Sequence, residues 1–346
     1  MESRRLTDGY TVEPIITGAW QLAEDHSDNK TNTPVEDLFE FVDAGFSTFD
    51  CADHYTGVEE LLGTFREQYG TETGDYPGIN VHTKFVPDKT KLDSITPEYV
   101  EGIIDRSRRR LDVDSLDLVQ FHWWDYEIDN YVETMEILHG LKKDGKIDQL
   151  GVTNFDVAHL EEIVDAGVPI ISNQVQYSLL DDRPERALVD FCERNDIQLL
   201  CYGTLAGGFL TERYLGESEP EHPMENRSLT KYKLIIEENG SWSDFQRLLE
   251  ELSTIADKHE VSIANVASRY ILQRPRVCSV IVGARNTKHI DDNLRTTDFR
   301  LEGQDVRRIE QAIAEFDGVP GGVYTAEREN PKHANIMKYN SNMKAE

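Results

Sequence analysis

Long apolar runs are missing from this sequence. No stretch approaches the roughly 18 residues that a bilayer-crossing helix needs, so a membrane-spanning chain is not expected. Cysteine is scarce: Cys51, Cys192, Cys201 and Cys278 lie far apart and form no Cys-x-x-Cys pair. That argues against a disulfide framework or a zinc site, and the four read as small apolar core residues. Basic residues are outnumbered, 36 Lys and Arg against 65 Asp and Glu, for a formal net charge of −29. Such a surface repels nucleic acid and anionic membranes, and suits a soluble protein. Any anion bound by this chain needs donors placed locally. The N-terminal residues Met1 to Tyr10 lack the apolar stretch of a secretion signal, so a cytoplasmic location is expected. No G-x-G-x-x-G follows the first apolar run, which weighs against a doubly wound dinucleotide-binding sheet, the runner-up architecture.

What the chain does have is a repeat of short β-branched runs separated by helical spacing. The strand candidates are Val12–Thr17, Ser47–Cys51, Ile79–Lys84, Leu116–Phe121, Ile147–Val152, Ile170–Val175, Ile197–Tyr202 and Val277–Val282. Helices are expected over Val35–Ala44, capped by Thr33 or Thr31 and ended by Gly45, and over Glu98–Leu111 behind Thr96-Pro97. Others follow at Asp156–Ala166, Pro184–Asn195, Trp242–His259 and Ser262–Gln273. Eight strands alternating with helices predict a (β/α)8 TIM barrel, a single domain over residues 1–346. Ala206–Ser241, after the seventh strand, reads as a long acidic loop over the active-site end. Residues 318–346 form a polar tail that either folds over the same mouth or stays disordered.

Active sites of such barrels sit where strands run into their following loops. Those ends carry Asp50, Asp53, His54 and Tyr55 after the second strand, Lys84 after the third and His122 after the fourth. Thr153 and Asn154, Asn173 and Gln174, and Tyr202 end the next three. An acid, a phenol, an amine and an imidazole on one rim suit carbonyl reduction. A free phenol titrates near 10, and an ammonium beside it stabilises the phenolate and brings that value down. Lys84 fills that part, Asp50 supplies its counter-charge, and His122 hydrogen-bonds the carbonyl oxygen.

These residues sit inside recognisable motifs. They are Gly45-Phe46-Ser47-Thr48-Phe49-Asp50-Cys51-Ala52-Asp53-His54-Tyr55, running on to Val58-Glu59-Glu60-Leu61-Leu62-Gly63, then Thr83-Lys84 and Phe121-His122-Trp123. Gly151-Val152-Thr153-Asn154-Phe155, Asn173-Gln174-Val175-Gln176-Tyr177-Ser178 and Ile281-Val282-Gly283-Ala284-Arg285 complete the set. With them the chain resembles the aldo-keto reductase family over residues 12–316.

The resemblance implies that Asp50, Tyr55, Lys84 and His122 are the catalytic tetrad, with Tyr55 the acid in reduction and the base in oxidation. It implies that Asn154 and Gln174 hold the nicotinamide carboxamide, that Tyr202 stacks on the nicotinamide ring, and that Asp50 also borders the cofactor. Trp20 and Trp123 match positions lining the cofactor or substrate mouth, and Tyr55 and His122 touch substrate there; Trp124 adds to an aromatic wall. Gly203, Thr204, Leu205 and Gly207 resemble the segment that closes over the cofactor pyrophosphate. Gly283, Ala284 and Arg285 match the branch with Gly-Ala-Arg at the phosphate end, and Asn293 matches an adenine contact. The sequence departs from the branch with a Lys-Ser pair and a later arginine, whose position is His289 here. Arg285 pairing with a 2′-phosphate favours NADPH over NADH as cofactor. The expected partner is a small carbonyl or alcohol. Two other readings compete: a cofactor-binding regulatory subunit on the same fold with slow turnover, and a metal-dependent barrel hydrolase. The hydrolase would draw on His122, His54 and Asp50, but no ligand spacing supports it.

Overall fold

Pro14 divides the first apolar run into two uses. Before it, Arg4–Thr7 and Tyr10–Val12 pair as an antiparallel hairpin. After it, Ile15–Gly18 (β1) joins the main sheet. The expected strand Val12–Thr17 is thus two pieces, because a proline has no N–H to give a central ladder. The computed structural model describes residues 1–23, 33–73, 78–336, 339 and 342. Its remaining barrel strands are β2 (Thr48–Asp50), β3 (Asn80–Phe85), β4 (Leu116–Phe121), β5 (Ile147–Thr153), β6 (Ile170–Gln176), β7 (Gln198–Tyr202) and β8 (Val277–Gly283). All eight are parallel and close in sequence order, β8 pairing back onto β1. This is the TIM barrel that the strand count predicts.

The helices are α1 (Pro34–Asp43), α2 (Val58–Thr73), α3 (Pro97–Leu111), α4 (Tyr131–Lys143), α5 (Val157–Asp165), α6 (Leu188–Arg194), α7 (Arg227–Asn239), α8 (Trp242–His259), α9 (Ile263–Leu272), α10 (Ile290–Arg295), α11 (Gly303–Ile313), α12 (Thr325–Glu329) and α13 (Pro331–Ala334). Several starts are local chemistry. Thr96 accepts from the Tyr99 amide ahead of Pro97, Asp156 accepts from the His159 amide, and Ser241 and Ser262 build reciprocal capping boxes. Thr33 precedes α1 without a side-chain cap bond, and Thr31 lies outside the described residues.

Along the strands side chains alternate, so His82 and Lys84 on β3, and Leu118 and Gln120 on β4 with His122 just beyond, step along successive levels. At the N-terminal end an apolar layer of Ile16, Leu118, Ile171, Leu200 and Cys278 is closed by hairpin residues Leu6, Tyr10 and Val12. Register places Asp50 opposite His82 and Lys84 opposite Gln120, so the levels above that layer turn polar. All four cysteines are buried free thiols. Among the described residues no helix is long and apolar enough to cross a membrane.

One segment differs from expectation. Ala206–Ser241 is not simply a loop: it contains α7, whose Leu229, Tyr232, Ile235 and Ile236 are buried along with Lys231 and Lys233. Asn226 caps it, accepting from the Leu229 amide. The described residues of the tail fold over the barrel mouth. Arg328 donates to the carbonyls of Trp123 and Asn154, and Asn342 donates to Asp53 and to the Val86 carbonyl.

Candidate active site

β2 ends at Asp50, and the following turn carries Tyr55, whose amide donates to the Ala52 carbonyl. Asp53 braces this turn by accepting from the Val86 amide and from Asn342. Lys84, buried inside the mouth, donates 2.7 Å to Asp50 Oδ2 and 2.8 Å to the Cys51 carbonyl. Asp50 Oδ1 accepts from Gln120 at 3.0 Å and Gln174 at 2.6 Å, and Gln174 also donates to Gln120 at 2.9 Å. A buried carboxylate is tolerable when paired and fully hydrogen-bonded, and Asp50 is both. Gln120 did not emerge from the sequence reading. Its signal was its place two residues before His122 on one strand.

Tyr55 is half-buried between Trp20, whose ring centroid lies 6.4 Å away, and His54, at 4.8 Å. Lys84 Nζ lies 5.6 Å from the Tyr55 ring centroid. Loss of hydration pushes the phenol well above 10, and the Asp50 charge adds to the effect. The expected depression by Lys84 is therefore not what this structure gives, because both short hydrogen bonds of the ammonium go to Asp50 and Cys51.

His122 is fully enclosed. Its Nδ1 lies 3.1 Å from the Thr153 carbonyl oxygen, which can only accept, so Nδ1 carries the proton. Burial, and then the Arg328 charge, hold the ring neutral by pushing its pKa down to about 3. Nε2 is left with a lone pair, buried and without a partner. This corrects the expectation that His122 donates to a carbonyl oxygen. A neutral ring in this tautomer accepts from an O–H.

The amides at the neighbouring strand ends are arranged as a complementary pair. Asn154, held at φ +62°, spends its Oδ1 accepting from the Tyr202 hydroxyl at 2.8 Å, which leaves its NH2 to donate. Gln174 spends its NH2 on Asp50 and Gln120, which leaves its oxygen to accept. One donor beside one acceptor is the complement of a carboxamide. Lys231 Nζ sits 5.1 Å from the Tyr202 ring centroid. Thr204 Oγ1 is buried without a partner. Gly203 and Gly207 have positive φ, and a Cβ on either would fall 2.4 or 2.7 Å from Tyr232 of α7. Only glycine lets α7 pack onto that segment. Leu205 is half-buried in the same turn.

At the far side of the rim Ala284 is buried, Arg285 and Asn293 are half-buried, and Gly283 and His289 are exposed. A Cβ at Gly283 would fall 2.3 Å from Gln21, whose own carbonyl oxygen is buried and unpartnered. Sequence reasoning passed over Gln21. Trp20 stands 38% exposed, its ring centroid 6.4 Å from that of Tyr55. Trp123 does not: its indole is fully buried and donates to the Asp125 and Ile128 carbonyls. Trp124 takes the wall position instead, 4.3 Å and edge-on from the His122 ring, anchored through the Pro87 carbonyl. The aromatic patch was legible, but which indole faces inward depends on the twist of the chain beyond β4. Tyr324, at φ +62°, closes the site from the tail, its ring centroid 5.4 Å from that of His122. Asn173 is buried and donates to the Phe155 carbonyl, outside this cluster. No group of three or more His, Cys, Asp or Glu among the described residues is placed to hold a metal.

Comparison with known proteins agrees with this architecture. The chloroplastic pyridoxal reductase of Arabidopsis thaliana is 28% identical over 326 residues, covering 88% of this chain and 84% of that protein. Flagellar radial spoke protein 5 of Chlamydomonas reinhardtii is 28% identical over 256 residues, 63% of this chain, and the chain spans only 48% of its length. The solved glycerol dehydrogenase from Gluconobacter oxydans shares the fold, with a TM-score of 0.77 at 21% identity over 92% of this chain and 97% of that one. The sequence profile of the Aldo/keto reductase family matches residues 14–314, which takes in the whole barrel, and the chain belongs to that family of oxidoreductases.

Proposed function

We propose that the chain reduces small aldehydes or ketones with a reduced nicotinamide cofactor, NADPH in preference to NADH, and that Tyr55 is the proton donor. The observation that carries this reading is the Tyr55 phenol beside a buried Asp50–Lys84 pair, with a donor–acceptor amide pair on Asn154 and Gln174 next to it. The residues fit a nicotinamide. The spare amide groups match its carboxamide, the Tyr202 ring offers a flat face, and buried polar atoms of Thr204 and Gln21 are unsatisfied without it. Bound there, the cofactor supplies hydride to the carbonyl carbon. Arg285, in no ion pair among the described residues, is the cation available to a 2′-phosphate.

Each residue's part follows from its protonation. A phenol held well above 10 is fully protonated at neutral pH, so Tyr55 is ready to give its proton to the developing alkoxide. Lys84, with Asp50 behind it, then stabilises the phenolate that is left. His122 Nε2, a buried lone pair without a partner, accepts from the new hydroxyl and holds the alcohol. Trp20, Trp124 and Tyr324 exclude water. In the oxidative direction Tyr55 must first lose its proton, so alcohol oxidation rises towards alkaline pH while reduction stays level through neutrality. We place the enzyme in the cytoplasm, acting on small molecules. Steady-state consumption of NADPH and NADH with a panel of aldehydes tests the reading; absence of turnover with every carbonyl and both cofactors refutes it.

A further inference from the structure

Lys231 is a buried ammonium held among aromatic rings beside the candidate site. From α7 its Nζ lies over the rings of Tyr202, Tyr232 and Tyr324, 5.1, 5.6 and 5.8 Å from their centroids. One carboxylate oxygen, Glu327 Oε1, stands 3.6 Å away, longer than a direct hydrogen bond. That carboxylate is already engaged. Arg183 donates to both its oxygens, at 2.9 and 3.1 Å, and gives its other edge to Asp181. Burial draws the Lys231 pKa below that of a free lysine, and the Glu327 charge counters that fall and keeps the ammonium.

This network is neutral in sum, two acids against two bases, but it is not symmetric. Both carboxylates close on Arg183, and the ammonium is left at the end next to Tyr202. An aromatic face attracts a cation, so Lys231 spends its charge on the tyrosine rings. The Tyr202 hydroxyl is committed to Asn154 Oδ1 at 2.8 Å, which fixes how its ring stands. The residue is only half-buried, so part of it stays open to a ligand. The ring that offers its face to a nicotinamide therefore has a fixed cation on it already.

We propose that Lys231 makes this site discriminate by oxidation state, so that the chain holds reduced nicotinamide more tightly than oxidised. This rests on the reductase reading above, with Tyr202 as the ring a nicotinamide stacks against. A nicotinamide is neutral before it gives up hydride and carries one positive charge afterwards, at nearly the same shape. Contacts of shape alone treat the two forms alike. A cation fixed on the platform does not: it draws the ring electrons towards itself and repels a like charge where water is scarce. In a chain of net charge −29 the overall field favours the oxidised, cationic ring, so this preference needs a positive charge placed locally. The consequence suits reduction, because spent cofactor is released readily and release is often the slow step.

Fluorescence titration of wild type, Lys231→Met and Lys231→Arg with NADP+ and NADPH tests it. The wild type should bind NADPH at least about tenfold more tightly than NADP+, the scale of one charge acting at short range in a partly desolvated site. Lys231→Met should bring the two Kd values within about threefold of each other, chiefly by tightening NADP+. Lys231→Arg should keep most of the wild-type ratio. An unchanged ratio in Lys231→Met, with both affinities weakened together, marks Lys231 as a prop for Tyr202 and overturns the proposal, as does a wild type that binds the two forms equally. Should Lys231→Met not fold, wild type titrated with oxidised and reduced nicotinamide mononucleotide decides, since these probes lack the adenine end. The same preference for the reduced form supports the proposal, and equal affinity sinks it. Equal affinities with carbonyl turnover intact leave the reductase reading standing; binding of neither nicotinamide form removes both.

Discussion

His82 and His122 both point into the barrel from neighbouring strands, and they meet opposite surroundings. At the N-terminal end His82 pairs through Nε2 with the Tyr10 hydroxyl at 3.1 Å, beneath an apolar plug contributed by the hairpin. At the C-terminal end His122 is buried as deeply, its Nδ1 paired with the Thr153 carbonyl and its Nε2 without a partner, as Nδ1 of His82 is. Burial drives both rings towards neutrality, to about 4 and about 3. Low pKa and burial thus do not tell the two rings apart. Nor does an unsatisfied nitrogen, since each ring keeps one, Nδ1 in His82 and Nε2 in His122; what differs is the surroundings, an apolar plug for the first and the aromatic rings of Trp124 and Tyr324 for the second.

The contrast can be broken most severely at the C-terminal end, where the proposed proton donor sits. Tyr55→Phe should lower kcat by at least about a hundredfold while leaving cofactor affinity nearly unchanged, measured by steady-state kinetics and fluorescence titration. Lys84→Met should impair kcat similarly and strip Asp50 of its counter-charge. Next in size is the cover over that end. Arg183→Met removes the partner of both Asp181 and Glu327, and chemical unfolding should show a loss of about 3–5 kcal/mol.

Acid should then act on both ends together. In the unfolded chain the imidazoles titrate near 6.5 and the Glu327 carboxyl near 4.5. Folding holds His82 at about 4 and His122 at about 3 through burial. Burial alone would raise Glu327, but Arg183 and Lys231 overcome it and hold the group at about 2. Below pH 6.5 the unfolded chain therefore binds protons that the folded one refuses. Stability should be flat above that value, fall from 6.5 downward through the histidines, and fall faster below 4.5, read as denaturant midpoint against pH. A stability that rises on acidification contradicts these assignments. The smallest effect belongs to the plug: Tyr10→Phe leaves His82 Nε2 unpaired and should cost about 1–3 kcal/mol with kcat within about twofold of wild type.

Much of the site was legible because barrel geometry turns strand ends into neighbours. Asp50, Lys84 and His122 end successive runs, and once those runs are parallel and in register their side chains share one rim. The misreadings lie where packing decides. Val12 and Ile15 look alike in sequence, and only the missing N–H of Pro14 assigns them to different sheets. Trp123 and Trp124 are equally apolar, and the turn after β4 buries one against Phe121 and Tyr131 and turns the other to His122. α7 carries Lys231 and Lys233 on surfaces that become buried, a pattern no hydrophobic period announces.

The sequence by itself determined the alternation of strand and helix, hence the barrel, and the residue types waiting at its C-terminal rim. Periodicity and capping are local properties, and parallel pairing leaves few ways to close them. Only the tertiary structure decided what covers that rim: Tyr324, Glu327 and Arg328 come from a polar tail with no period of its own. It also decided which nitrogen of His122 holds a proton and where the Lys84 charge is spent. Those outcomes depend on desolvation and on partners far apart in the chain, and neither quantity exists until the chain has folded.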